Sequence, residues 1–314
     1  MSFNKVLITI DIDCDVDVVV ALARRLATKS PAAFSVLGVM PEFPAPVFKS
    51  SRTTKTARHL SSQLIEHLTE KVDKVAAELP ENSGKSIVSG RLVEEVAKAV
   101  MINQADLVVK AATLMPGESG PLFGSIDKRL IRNSPCPVWV VRPDIDKEFD
   151  HIAVAIDRHD LYKDSDARRD LTLSLLEHAA KLAKFFGIMN VDVIYAWDAV
   201  GADMMRSARS GLTPQEADEY MQDCEQDSFD WMDDFLETVR KKLGSDAPNF
   251  IPQLAFGRPR QVLISKVHEL KSDVLIIGTI ARSGALGLLM GNTAEDVLDR
   301  VECSVMAIKP DLTV

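Results

Sequence analysis

The stretch Gly278–Asn292, GTIARSGALGLLMGN, decides the fold. It follows a strand-like run, Ser272–Gly278 (SDVLIIG), and leads into a helix-like run, Thr293–Val301 (TAEDVLDRV). A glycine-rich loop between a strand and a helix N-terminus suits an anionic ligand. Glycines let the backbone approach closely, and the first N–H groups of the helix point at the charge. The chain contains this pattern twice. Ala111–Ser125, AATLMPGESGPLFGS, follows the strand-like ADLVVK and precedes the helix-like IDKRLI.

The repeat extends outward from the two loops. From Gly90 to Arg142, adding 167 gives the partner residue without a gap. Gly90-Arg91 pairs with Gly257-Arg258, Asp106 with Asp273, and Cys136 with Cys303. Gly117, Gly120 and Gly124 pair with Gly284, Gly287 and Gly291. Further upstream, KVLITID (Lys5–Asp11) matches HIAVAID (His151–Asp157), each an apolar run ending at an aspartate. A duplication follows, with halves at 1–145 and 146–314. The join, Pro143–Phe149 (PDIDKEF), is short and polar, which favours two halves packed together.

Each half alternates strand and helix signals. In the first, continuous apolar runs predict buried strands at Val6–Ile10, Phe34–Val39, Asp106–Lys110 and Val138–Arg142, with a shorter one at Ser86–Ser89. Between them lie helical patterns at Val16–Thr28, Thr56–Leu79, Leu92–Asn103 and Ser125–Arg132, and a proline-bearing loop, Met40–Ser51. Asp13 or Asp15 can cap the first helix. The second half repeats the order: strands at Ile152–Ile156, Val191–Trp197, Pro252–Phe256 and Ser304–Ile308, and helices at Arg168–Phe186, Pro214–Leu243 and Pro259–Leu270. Asp198–Gly211 is an insertion without a first-half equal. Such alternation predicts an α/β architecture: two doubly wound domains, each a parallel sheet covered by helices on both faces.

Composition bounds the function. A net charge of −9 argues against a nucleic-acid surface, which needs clustered Lys and Arg. No apolar run approaches the length of a membrane span, and MSFNKVLITID reads as a first strand rather than a signal peptide. The four cysteines are scattered, without a CxxC pair, which fits a reducing, cytoplasmic setting.

Several motifs dissolve on inspection. Asp11, Asp13, Asp15 and Asp17 resemble the start of a calcium loop, but Val16 stands where a turn glycine is needed and Leu22 where the bidentate glutamate belongs. The six histidines form no metal-type pair, and neither a Walker motif nor a nucleophile elbow occurs. The loops also have a structural reading. Asn292-Thr293-Ala294-Glu295 has capping-box spacing, and Ser125 or Asp127 could cap in the first half. Leu286, Leu288, Leu289 and Met290, matched by Leu122 and Phe123, pack on their own domain, wall an apolar pocket or contact another protomer.

With both loops and the ending CPVWVV (Cys136–Val141) and CSVMAI (Cys303–Ile308) in view, the chain resembles a tandem-domain universal stress protein of the E type. The resemblance implies a five-stranded parallel sheet in each half and pairing of the two halves through their last strands. It also allows a homodimer. Family members that bind ATP carry Gly-x2-Gly-x9-Gly-Ser/Thr. The second half aligns as Gly278, Ala281, Gly291 and Asn292, the first as Ala111, Leu114, Gly124 and Ser125. By resemblance, Asp157 would contact a base edge and Ala196 would line its pocket, with Gly257 and Thr293 completing the site. Asp11, Val39, Gly124 and Ser125 form the weaker first-half counterpart. The implied function is a non-catalytic cytoplasmic stress-response protein that binds ATP, AMP (with Mg²⁺) or a similar ligand in its second half, with no nucleic-acid or membrane partner. The alternative is an interaction or scaffold protein, ligand-free or holding an apolar ligand, that has lost nucleotide binding.

Overall fold

A computed structural model describes residues 3–29, 31–42, 51–113, 123–142, 149–161, 165–199, 201–202, 211–279 and 290–310. The first half runs β1 (Lys5–Ile10), α1 (Val16–Lys29), β2 (Ala33–Met40), α2 (Ser51–Ala76), β3 (Gly84–Ser89), α3 (Leu92–Asn103), β4 (Leu107–Ala111), α4 (Ser125–Asn133) and β5 (Val138–Val141). The second runs β6 (Ile152–Ile156), α5 (Ser165–Phe186), β7 (Asn190–Trp197), α6 (Pro214–Leu243), β8 (Asn249–Phe256), α7 (Pro259–Glu269), β9 (Val274–Gly278), α8 (Asn292–Leu298) and β10 (Ser304–Ile308).

All ten strands form one sheet, in the order β3-β2-β1-β4-β5-β10-β9-β6-β7-β8. Within each half the neighbours are parallel. At the seam β5 meets β10 antiparallel, with Met306 opposite Trp139. One apolar layer gathers α1, α2, α5 and α6, the other α3, α4, α7 and α8. Two faces of buried side chains explain why β1, β4, β5, β9 and β10 are nearly all apolar in sequence. The edge strand β8 begins three residues earlier than Pro252 suggested. A proline is tolerated there because β8 pairs only with β7. Likewise α2 and α5 begin before Thr56 and Arg168, because their first turns carry no apolar periodicity to read.

The repeated residues fix the same backbone groups in both halves. Asp106 accepts hydrogen bonds from the Asn4 and Lys5 amides (2.7 and 3.0 Å). Asp273 accepts from the Asp150 and His151 amides (2.8 and 2.9 Å). Gly90 N–H donates to Met40 O, and Gly257 N–H to Trp197 O, each at 2.9 Å. Their recurrence is therefore structural: each ties a loop to the start or end of a neighbouring strand.

The seam is held by packing and by crossed charges. Trp139 is fully buried against Phe149 (5.5 Å between ring centres) and Phe186 (6.0 Å). Lys128 of α4 pairs with Asp299, just beyond α8, and Arg132 pairs with Glu295 of α8. Position 295 is the repeat partner of 128, and 299 of 132, so the pairs obey a pseudo-twofold rule with the charges reversed between halves. Ser304, the repeat partner of Pro137, accepts a hydrogen bond from the Arg142 amide (3.1 Å) across the seam.

Candidate functional site

A cleft of about 500 Å³ opens at the carboxyl ends of β6, β7 and β9. In the strand order β9-β6-β7, chain connections leave β6 in opposite directions, and open α/β sheets bind ligands at such a crevice. Asp157 follows β6, Ala196 comes from β7, and Ile277 and Gly278 end β9. Helix α5 contributes Arg168, Leu171, Thr172 and Leu175, and α7 contributes Pro259 and Leu263. Gly291, Asn292, Thr293, Ala294 and Val297 close the remaining side.

Among the described lining residues only Asp157 and Arg168 are charged. Arg168 is 8% exposed in its side chain and lies 3.8 Å from the Asp157 carboxylate, which is 43% exposed. Asp157 Oδ1 also accepts from the Arg158 amide (3.0 Å). The Arg158 guanidinium turns the other way. It bonds Asp160 and Asp227 and lies over the Trp231 ring at 5.7 Å, tying α6 to the end of β6. Burial pushes the Arg158 guanidinium down, but the Asp160 and Asp227 carboxylates outweigh it and hold the group protonated above its usual range. Thr172, Asn292 and Thr293 add uncharged polar groups, and apolar walls come from Ala155, Ile156, Leu171, Leu175, Ile277, Ala294 and Val297.

The structure brings Asp157, Ala196, Gly278, Gly291, Asn292 and Thr293 together around this cleft. It does not bring Gly257, whose φ of +135° serves the turn after β8; Pro259 and Leu263 stand in its place on that wall. Ala281 lies outside the described residues, as do Leu114, Leu122, the loop leucines 286, 288 and 289 and most of the proline-bearing segment and the insertion. Gly278 has a packing reason beyond any ligand: a Cβ there would sit 2.8 Å from Leu171 Cδ2.

The capping expectation needs correction. Gly291, not Asn292, is the N-cap of α8. Its carbonyl accepts from the Glu295 amide, while the Glu295 carboxylate is spent on Arg132. In α4 the N-cap is Gly124 rather than Ser125, and Asp127 reaches back to bond the Gly124 amide (3.0 Å). At α1, Asp15 supplies the cap, to the Asp17 amide.

The first-half counterpart is arranged differently. Asp11, Val39, Gly124 and Ser125 are the repeat equivalents, and here Lys110 reaches Asp11 and Asp127. Its side chain is wholly buried. The Nζ contacts Asp127 Oδ1 (3.0 Å), Asp11 Oδ2 (3.2 Å), Thr113 Oγ1 (2.8 Å) and Ala111 O (2.9 Å). Burial alone would push its ammonium down, but Asp127 and Asp11 more than offset this and hold it above the usual lysine value. Lys110 escaped sequence reasoning, and Asp127 reads in the sequence only as a helix cap. The signal was a lysine ending an otherwise apolar strand run, ADLVVK, where its repeat partner is Ile277.

The comparisons agree with this geometry. The universal stress protein family model matches residues 2–142 and again 148–309. The universal stress protein E homolog of Haemophilus influenzae is 25% identical over 248 residues, 76% of this chain and 73% of the relative. Universal stress protein E of Escherichia coli K12 is 24% identical, over 72% of this chain and 68% of the relative. A solved universal stress protein from Archaeoglobus fulgidus superposes over 98% of this chain and 99% of its own, with TM-score 0.60 at 17% identity, a likeness of fold. Two family matches in tandem cover nearly all of the sequence, so the chain belongs to the universal stress protein family.

Proposed function

We propose that this is a non-catalytic, cytoplasmic stress-response protein that binds one adenine nucleotide, ATP or AMP, in its second half. The cleft at the ends of β6, β7 and β9 carries the reading. It has the volume of a small-molecule site, and five of the residues aligned with the family's ATP-binding pattern or base pocket line it. Its apolar walls suit a flat base, and Arg168 supplies a positive charge for an anion. Among the described lining residues there is no nucleophile with an adjacent base, which supports binding rather than turnover. No described helix is long and apolar enough to cross a membrane.

Equilibrium dialysis with ATP and AMP, each with and without Mg²⁺, tests the reading. Saturable uptake below millimolar nucleotide is expected, and Gly291→Val should abolish it by placing a branched side chain in the cleft. The absence of uptake at millimolar nucleotide would reject it. The apolar lining also supports a second reading, an apolar ligand without a phosphate. Native mass spectrometry of the purified protein separates the two by the mass of what co-purifies.

A further inference from the structure

We propose that the first half carries its own ligand. The Lys110–Asp127 ion pair occupies the site that the second half leaves open, so the chain takes up one ligand and its first half stays permanently in a closed, loaded state. The ligand count rests on the second-half reading above; the closure of the first half does not.

The argument is residue by residue. In β1 and β4, Thr9 and Lys110 are register partners, side by side on the face covered by α3 and α4. In the second half their equivalents are Ala155 and Ile277, and both line the cleft. The third difference is Asp127 on α4, fully buried, against Ala294 on α8, again a cleft residue. Three polar side chains therefore stand where three apolar ones border open space.

Lys110 and Asp127 bond the groups around the loop that a ligand would otherwise meet. Asp127 Oδ2 accepts from the amides of Gly124 (3.0 Å) and Thr113 (3.2 Å), which flank the loop. It stands where a ligand's anion would otherwise meet the start of α4. Its other oxygen meets the Lys110 ammonium, which also lies against Asp11, the equivalent of Asp157. Asp11 is thereby committed to an internal cation. Such a set behaves as a unit. Removing Lys110 leaves Asp127 buried without its cation, and removing Asp127 leaves Lys110 with Asp11 alone; both are destabilising, whereas replacing the pair by apolar residues can be closer to neutral.

The test makes the first half resemble the second. Lys110→Ile and Asp127→Ala are each expected to lower the melting temperature by about 10 °C. The double variant should lose much less than the sum of the two. Additive losses would overturn the claim that the pair is one closed unit, and this arm needs no ligand. The second arm follows hydrogen exchange on adding ATP with Mg²⁺. In the native chain, protection should appear at 155–158 and 290–297 and be absent at 9–12 and 123–130. In the double variant it should extend to 9–12 and 123–130. Protection of 123–130 in the native chain would overturn the proposal. So would a double variant whose first half stays unresponsive while its second half responds. If ATP protects neither half of the native chain, the nucleotide reading fails, and the melting cycle alone decides whether the first half is internally closed.

Discussion

The two halves share a backbone and differ in what they place at the ends of their central strands. Asp106 and Asp273 hold equivalent amides, and Gly90 and Gly257 bond equivalent carbonyls. Yet Lys110 forms ion pairs with Asp127 and Asp11 beside Thr9, while Ala155, Ile277 and Ala294 border a cleft. Fold-keeping and ligand-keeping residues are thus separable: the duplication preserved the hydrogen bonds that close loops onto strands, and the sites diverged in charge. A buried charge needs its partner, so replacing Lys110 or Asp127 alone should cost more than replacing both.

The comparison breaks most sharply if the first half's pair is moved into the second. Ile277→Lys with Ala294→Asp should fill the cleft and weaken ATP binding by roughly 100-fold or more, about 3 kcal/mol, in a calorimetric titration. Ile277→Lys alone strands a buried cation and should cost about 3–5 kcal/mol of stability, much of it restored by Ala294→Asp. Unchanged affinity in a folded double variant would show that the cleft is not the binding site.

The seam sets the next largest effect. Trp139→Ala should cost about 3–5 kcal/mol and Met306→Ala about 2–5, each read by denaturant unfolding. Because the sheet is continuous, both changes should shift a single transition. A variant that melts in two steps would show that the halves unfold independently.

Smaller is the exchange of Gly278 and its partner Ala111. Gly278→Ala forces Leu171 aside, should cost about 1–3 kcal/mol, and narrows the cleft. Ala111→Gly should cost only about 0.5–1 kcal/mol, from added backbone freedom. Equal costs would remove the packing account of Gly278.

The crossed ion pairs are smallest. Lys128→Ala and Arg132→Ala should each cost no more than about 1 kcal/mol in urea unfolding, and less at high salt. Reversing α4 alone, Lys128→Glu with Arg132→Glu, sets four acids together. Reversing Glu295 and Asp299 to lysine as well should restore stability. Failure of that rescue would dismiss the charge rule at the seam.

Much of this architecture was legible in the sequence, because continuous apolar strands and in-register glycines are local signals. Each half's parallel sheet followed from the alternation, and part of the cleft lining, Asp157, Ala196, Gly278, Gly291, Asn292 and Thr293, from the aligned loop and the family resemblance. The closed first half did not. Lys110 ends an apolar run that reads as any strand end, and Asp127 reads as a helix cap. Only the fold brings them within 3.0 Å. Arg168 was passed over for a similar reason: at the expected start of a helix it reads as a solvent-facing charge. Gly257 went the other way. By resemblance it is expected at the ligand, whereas its positive φ and its bond to Trp197 give it a turn to make.

The central claim is an open second half beside a self-occupied first half, and the number of ATP molecules bound per chain tests it most directly. Calorimetry with saturating Mg²⁺ should return a stoichiometry of one, with binding lost in Ile277→Lys/Ala294→Asp. A stoichiometry of two, or of one that survives that substitution, would contradict it.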